Sequence, residues 1–297
     1  MTTQAQTAAD AIFEQHRELL FGLAYRMLGS VADAEDVVQD AYLRWRTADV
    51  AQIESPKAYL TTAATRLAID RLRLLRRRRE AYLGPWLPEP LVTEDSPAVS
   101  RTELAESLSL AFLVMLESLQ PVERAVFLLH EAFQYGHDEI APIVEKSPEN
   151  CRQILSRARK QLSQGAPRFE PQPDRQQALL EQFLATCQSG DLPALVGMLT
   201  EDVVFYSDGG GKASAARVPI CGADKVARLL RGLARKSSPA VAAQFMKVNG
   251  QLALVRSEDG RTRDVTILET AGDGRICAIR VIRNPDKLRR IPPRERS

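Results

Sequence analysis

The hydrophobic pattern changes period partway along the chain, and no single layer of secondary structure can satisfy both halves. Before the stretch GAPRFEPQPD, which begins at Gly165, apolar residues recur at three- and four-residue spacing. Ile12, Phe13, Leu19, Leu20, Leu23, Ala24 and Met27 form one such series, and Leu104, Leu108, Phe112, Met115 and Leu119 another. After it, short β-type runs dominate: DVVFY, VAAQFMKV, QLALVRS, RDVTILET and RICAIRVI. Asn249-Gly250 and Asp259-Gly260 between them predict tight hairpin turns, because both dipeptides tolerate the positive φ such turns require. Helical series around Phe183 and Leu230 accompany these runs. The pattern predicts an all-α first half and then an α+β domain, a curved antiparallel sheet with helices on one face. A second break, LGPWLPEPLVTEDSPA, is rich in proline and acid and divides the helical half. The expected organisation is a helical domain over 1–82, a linker over 83–100, a second helical domain over 101–168, the α+β domain over 169–285 and a tail over 286–297.

Charge is local. The net formal charge is +2, so the whole molecule is no polyelectrolyte. Yet Arg66 to Glu80 holds seven arginines and two acids, whereas Asp33 to Asp40 holds four acids and no base. Separate faces for separate partners are expected. The four cysteines, Cys151, Cys187, Cys221 and Cys277, lack metal or redox spacing and suit a reducing compartment. There is no long apolar run and no signal-peptide pattern, so the expectation is a cytoplasmic protein without a membrane segment.

Several helix ends are explicit. Gly29 suits a C-cap, Ser30 with Asp33 resembles a capping box, and Ser55-Pro56 opens a third helix. Between these ends, Ala34, Val38, Ala41 and Trp45 make an apolar side, and Tyr42 and Trp45 read as core. The acids fall on the other side. A regular helix brings too few oxygens around one ion for a metal site, so a basic protein surface is the better partner for them.

SPENCRQILSRARKQL carries the clearest chemistry. Ser147 and Pro148 open a helix whose buried stripe is Cys151, Ile154, Leu155, Ala158 and Leu162. Arg152, Gln153, Ser156, Arg157, Arg159 and Lys160 are left outside. The short helix HDEIAPIVEK before it completes a helix-turn-helix, with Arg and Gln suited to base edges and Arg159 and Lys160 to phosphates. An ordinary basic surface helix is the alternative. In TRLAIDRLRLLRRRRE, the residues Arg66, Asp70, Arg73 and Arg77 share a side, with Tyr59, Thr61 and Thr62 upstream. Either a nucleic-acid surface or a solvated charge run fits. The glycine run FYSDGGGKASAA is no P-loop. Tyr206 stands where the first glycine belongs, and Ala213 where Ser or Thr would bind magnesium. A flexible loop and a close backbone approach both remain open there.

LAYRMLGSVADAEDVVQDAYLRW followed by PKAYLTTAATRLAIDRLR resembles region 2 of the extracytoplasmic-function sigma factors, within the sigma-70 family. LQPVERAVFLLHEAFQYGHDEIAPIVEKSPENCRQILSRARKQL resembles their region 4. The motifs WLPEP, DGGGK and NPDKL are similar to those of the group that carries a C-terminal SnoaL-like domain. The resemblance implies two all-α sigma domains followed by an α+β SnoaL-like cone. It implies a factor that binds core RNA polymerase through the β′ coiled coil and β flap, recognises promoter −10 and −35 elements and starts transcription. The free protein is expected to be a monomer without cofactor.

Site residues carry over by position. Asp36, Gln39 and Asp40 match the segment docked on the β′ coiled coil. Tyr59, Thr62, Arg66, Asp70 and Arg73 fall in the segment that melts and reads the −10 element. Asn150, Arg152, Gln153, Arg157 and Lys160 match the −35 helix. A regulatory role in cis is implied for Trp86, Leu87, Pro88, Glu89 and Pro90, for Asp208, Gly209, Gly210, Gly211 and Lys212, and for Asn284, Pro285, Asp286, Lys287 and Leu288. Lys212 is expected to meet an acid such as Glu89. Three positions depart from the family pattern: Arg66 stands where many relatives have asparagine, Glu145 replaces a turn glycine, and Pro142 interrupts a helix.

For the third domain, a structural role in interaction, a ligand pocket and isomerase or cyclase chemistry are the alternatives. Catalysis would need a base in an apolar pocket. His16, His130 and His137 all lie outside this domain, which leaves Asp202 and Asp208, the latter expected in a mobile loop.

Overall fold

The structure, a computed structural model, describes residues 3–93, 108–165, 173–236, 238 and 240–293. The chain divides into two compact units. Residues up to Glu80 group with Phe112–Ala166, while Ala81–Ser96 group with the chain from Pro167 onward.

In the first unit, α1 (Thr3–Leu28), α2 (Val31–Thr47) and α3 (Pro56–Glu80) form a bundle. Gly29, at φ 65°, ends α1, and its N–H donates to the Tyr25 carbonyl at 2.7 Å. The Ser30 hydroxyl accepts from the Asp33 N–H at 3.3 Å, as the cap spacing predicts. Trp45 is fully buried, and its indole N–H reaches the Ala9 carbonyl at 2.8 Å. Leu20, Leu23, Leu60 and Leu72 surround it without exposure, each such burial contributing about 1.5–3 kcal/mol. Then come α4 (Leu110–Leu116), α5 (Pro121–Glu131), α6 (His137–Val144) and α7 (Pro148–Gly165). The buried residues of α7 are Cys151, Ile154, Leu155, Ala158 and Leu162, the stripe read from the sequence. Helix α6 contains Pro142 and ends on Glu145, whose left-handed φ of 56° is the conformation glycine favours.

In the second unit, α8 (Pro173–Ser189) and α9 (Leu192–Gly197) precede β1 (Leu199–Asp208) and β2 (Ile220–Cys221). Helix α10 (Ala223–Arg235) leads to β3 (Ala242–Val248), β4 (Gln251–Glu258), β5 (Arg261–Thr270) and β6 (Ile276–Ile282). The sheet order is β2-β1-β6-β5-β4-β3. Neighbours are antiparallel except β1 and β6, which run parallel with Phe205 opposite Ile279. One face packs Phe205, Ile279, Leu268 and Leu254 against Phe183, Val226 and Leu230 of the helices.

Of the expected linker, residues 83–93 are described and are extended, and 94–100 lie outside the described residues. This proline-rich strap lies against the sheet end. The Thr93 N–H donates to the Lys247 carbonyl at 2.9 Å, and the Asn249 N–H to the Leu91 carbonyl at 2.8 Å. Proline keeps the segment from becoming helix, yet Leu87, Pro88, Glu89 and Pro90 are buried.

Candidate functional site

Helix α7 shows Arg152, Gln153, Arg157 and Lys160 to solvent, while Asn150 is half-buried. The Asn150 N–H donates to the Ser147 hydroxyl at 3.2 Å, which fixes the start of the helix behind the turn. Arg152 lies 3.2 Å from Glu149, an exposed pair a competing ligand can replace at little cost. Arg159 does not join the free cations: its Nε donates to Glu131 of α5 at 2.9 Å.

On α3 the expected residues are not one open face. Arg66 reaches across to the end of α6, where Nε donates to the Ile143 carbonyl at 3.0 Å. Its Nη2 donates to the Pro142 carbonyl at 2.7 Å, and Nη1 lies 3.2 Å from Glu145. The three departures from the family pattern therefore meet in one contact. Beside it, the buried Thr61 hydroxyl and the Tyr135 phenol are 3.0 Å apart, and the Lys57 ammonium stands 5.4 Å from the Tyr135 ring centre. Tyr59 packs its ring on Trp45 at 5.8 Å. The Thr62 hydroxyl is turned back to the Ala58 carbonyl at 2.7 Å, and Asp70 and Arg73 are an exposed pair at 2.8 Å.

The acidic face of α2 keeps Asp36, Gln39 and Asp40 exposed. Arg71 of α3 neutralises part of it, with Nε at 2.7 Å from Asp33 and Nη2 at 2.9 Å from Asp36. Leu43, one turn on, is an exposed large apolar residue that the charge pattern gave no reason to single out.

The regulatory motifs converge within the second unit. Asp208 ends β1 and has no exposure, so the mobile-loop expectation is wrong for it. Its carboxylate accepts from the Tyr82 phenol at 2.6 Å, the Leu87 N–H at 2.9 Å and the Lys287 ammonium at 2.7 Å. A buried carboxylate needs such a set of donors, because an unpaired charge there is costly. Burial first, then the bond to Asp208, pushes the Tyr82 phenol above its usual range, so it stays a donor. The Asn284 amide donates to the Tyr82 oxygen at 2.9 Å. The Lys287 ammonium also sits 4.3 Å from the Trp86 ring centre and bonds the Leu87 carbonyl. Pro285 is half-exposed and Leu288 is buried.

The glycines have a steric reason. A Cβ on Gly209 would fall 2.3 Å from the Ala213 carbonyl oxygen, and one on Gly210 would fall 2.2 Å from the Asn284 amide. Gly210 and Gly211 also hold positive φ, 57° and 72°. Lys212 pairs with Asp286 rather than with Glu89; the cation that reaches the strap is Lys287. Asp202 is exposed on β1.

Sequence reasoning missed three ion pairs: Arg256 with Asp264, Arg280 with Glu269, and Arg124 with Glu117. Alternation along RDVTILET does put Asp264 on the helix-covered side, the one signal available. Among the described residues no cluster of His, Cys, Asp or Glu could hold a metal. No described helix is long and apolar enough to cross a membrane.

Comparison with known proteins gives matches over most of the chain. Residues 12–78 match the Sigma-70 region 2 family, and residues 109–162 match Sigma-70, region 4. The ECF RNA polymerase sigma factor SigJ of Mycobacterium tuberculosis is 38% identical over 296 residues, covering 96% of this chain and 94% of the relative. The probable ECF RNA polymerase sigma factor SigI of the same species is 30% identical, covering 94% of each. The crystal structure of M. tuberculosis SigJ superposes with a TM-score of 0.73 at 36% identity, covering 93% of this chain and 96% of that one.

Proposed function

The chain belongs to the extracytoplasmic-function sigma factors of the sigma-70 family, and we propose that it directs core RNA polymerase to a set of promoters under control of its own third domain. Its function is in binding rather than turnover, exercised in the cytoplasm where polymerase works. The observation that carries this reading is the exposed quartet Arg152, Gln153, Arg157 and Lys160 on a helix whose opposite side is fully buried. Arg152 and Gln153 read base edges of the −35 element, Arg157 and Lys160 hold phosphates, and Asn150 supports the helix start. Tyr59, Thr62, Arg66, Asp70 and Arg73 serve the −10 element, Arg66 only after leaving α6. Asp36, Gln39 and Asp40 dock on the polymerase β′ coiled coil, and region 4 meets the β flap.

Control in cis runs through the strap. Trp86 to Pro90, Asp208 to Lys212 and Asn284 to Leu288 act as one lock, because Asp208 joins all three segments. Single-round transcription with core polymerase tests this on three forms: full length, a form ending before Asn284, and a form ending at Pro171. Loss of the tail removes Lys287 from Asp208 and is expected to raise transcription. Removal of the whole domain is expected to lower it, since contacts that organise the active form go too. Equal activity from all three at equal core binding would make the domain a passenger.

A further inference from the structure

A single line across β4, β5 and β6 sets three charges side by side. Arg256 is the register partner of Asp264. Val265 is the partner of Ile282, so the next position outward sets Asp264 opposite Arg283. All three alternate onto the face of Leu254, Leu268 and Val281, the apolar face covered by α8 and α10. Asp264 is fully buried, and both its oxygens are taken by Arg256, at 2.7 and 2.9 Å. Arg283 is left with one guanidinium nitrogen on the Ser214 carbonyl. Its Nε is buried with no partner among the described residues. Burial pulls its pKa down, although Asp264 opposes this.

This end of the apolar cluster therefore carries one more cation than anion. No other group nearby supplies the missing charge. Cys187 of α8 lies close enough to feel Arg256, but burial pushes its thiol up to about 12, so it is neutral. Glu258 is occupied by Arg263, which alternates to the other side of β5. A guanidinium with a free buried N–H matches a carboxylate in shape and charge. The neighbouring Asp264 repels a second negative charge, and the wall beyond is apolar.

We propose that the second unit binds a small apolar monocarboxylate, its carboxylate on Arg283 and its hydrocarbon part against Val281, Leu254 and Phe183. Binding is coupled to the lock by short covalent paths. Ser214 lies two residues past Lys212, and the Arg283 N–H donates to the Asp208 carbonyl at 2.7 Å. The coupling rests on control in cis; the binding does not.

The probes are octanoate and benzoate, each against its neutral alcohol, titrated calorimetrically into the full-length protein. At least one acid is expected to bind about tenfold or more tighter than its alcohol. Arg283→Gln should bring that acid to the level of the alcohol, whereas Arg263→Gln should not. Should Arg283→Gln fail to fold, Arg283→Lys keeps the charge without the fork and should retain only part of the preference. Neither acid exceeding its alcohol, or undiminished preference in the folded Arg283 variant, would overturn the site. Hydrogen exchange at the Leu87 amide in the acid complex reads the coupling. Altered protection supports it, and unaltered protection with acid bound overturns the coupling alone. Control in cis is judged separately, by transcription from the truncated forms.

Discussion

Asp208 illustrates how much a single buried carboxylate can hold. It joins Tyr82 and Leu87 of the strap to Lys287 of the tail, and every one of those contacts uses its negative charge. Asp208→Asn keeps the shape but removes the charge and turns a donor toward donors. It is expected to destabilise the second unit by about 3–5 kcal/mol, read as a shift in the urea midpoint. Tyr82→Phe removes one donor and leaves two, so about 1–3 kcal/mol is expected. Equal losses from both variants would refute the ranking. His137 gives a second test at this scale. It stacks on His130 with ring centres 4.8 Å apart, and burial first, then His130, lowers its pKa. The folded state thus favours neutral His137, while the unfolded chain takes up a proton at the ordinary value of about 6.5. The resulting stability is complete above that pH and is lost as pH falls through the lower folded value. Urea unfolding at pH 7.5 and 5 should show the loss, and His137→Phe should reduce it.

At the level of elements, the contact of α3 with α6 explains the unusual turn. Glu145 sits in left-handed backbone at a cost of about 1 kcal/mol relative to glycine. Its ion pair with Arg66 is exposed, 42% and 74% for the two side chains, so it returns little. Glu145→Gly is therefore expected to stabilise the helix-turn-helix by about 0.5–1 kcal/mol while weakening the hold on Arg66. A lower urea midpoint would show that the pair outweighs the strain. The sequence could announce the glutamate as odd but not its partner, because Arg66 is brought there by tertiary packing. The same divide runs through the whole fold. Caps at Ser30 and Gly29, the α7 stripe and the Asn249-Gly250 turn are local and were readable. The parallel pairing of β1 with β6 was not, since the hairpin signals concern only neighbours in sequence. Nor was the strap: proline and acid near Trp86 read as linker, and only the second unit's surface makes it structure. Within the site, exposed Arg152 and Gln153 followed from helical spacing. The engagement of Arg66, and of Arg159 by Glu131, depended on helices brought together by folding.

For the molecule as a whole, the decisive point is which unit owns the strap. Residues 81–93 connect helices of the first unit, yet group with the second. While the strap is bound, the connection between α3 and α4 has fewer free residues, and the separations open to those helices narrow. The tail acts on the same strap, because Lys287 meets the Trp86 ring, the Leu87 carbonyl and Asp208 together. If this is the route of control, loosening the strap and cutting the tail are one event reached in two ways. Trp86→Ala should remove a cation–π contact of about 1–2 kcal/mol and raise single-round transcription, as ending the chain before Asn284 does. The double variant then decides the matter. Changes that act through one shared contact fail to add, whereas independent ones add. Combined activity no greater than that of the stronger single change is the expected result. Activities that multiply, at equal core binding, would mean that the tail works on some other part of the protein and that the strap is not its route.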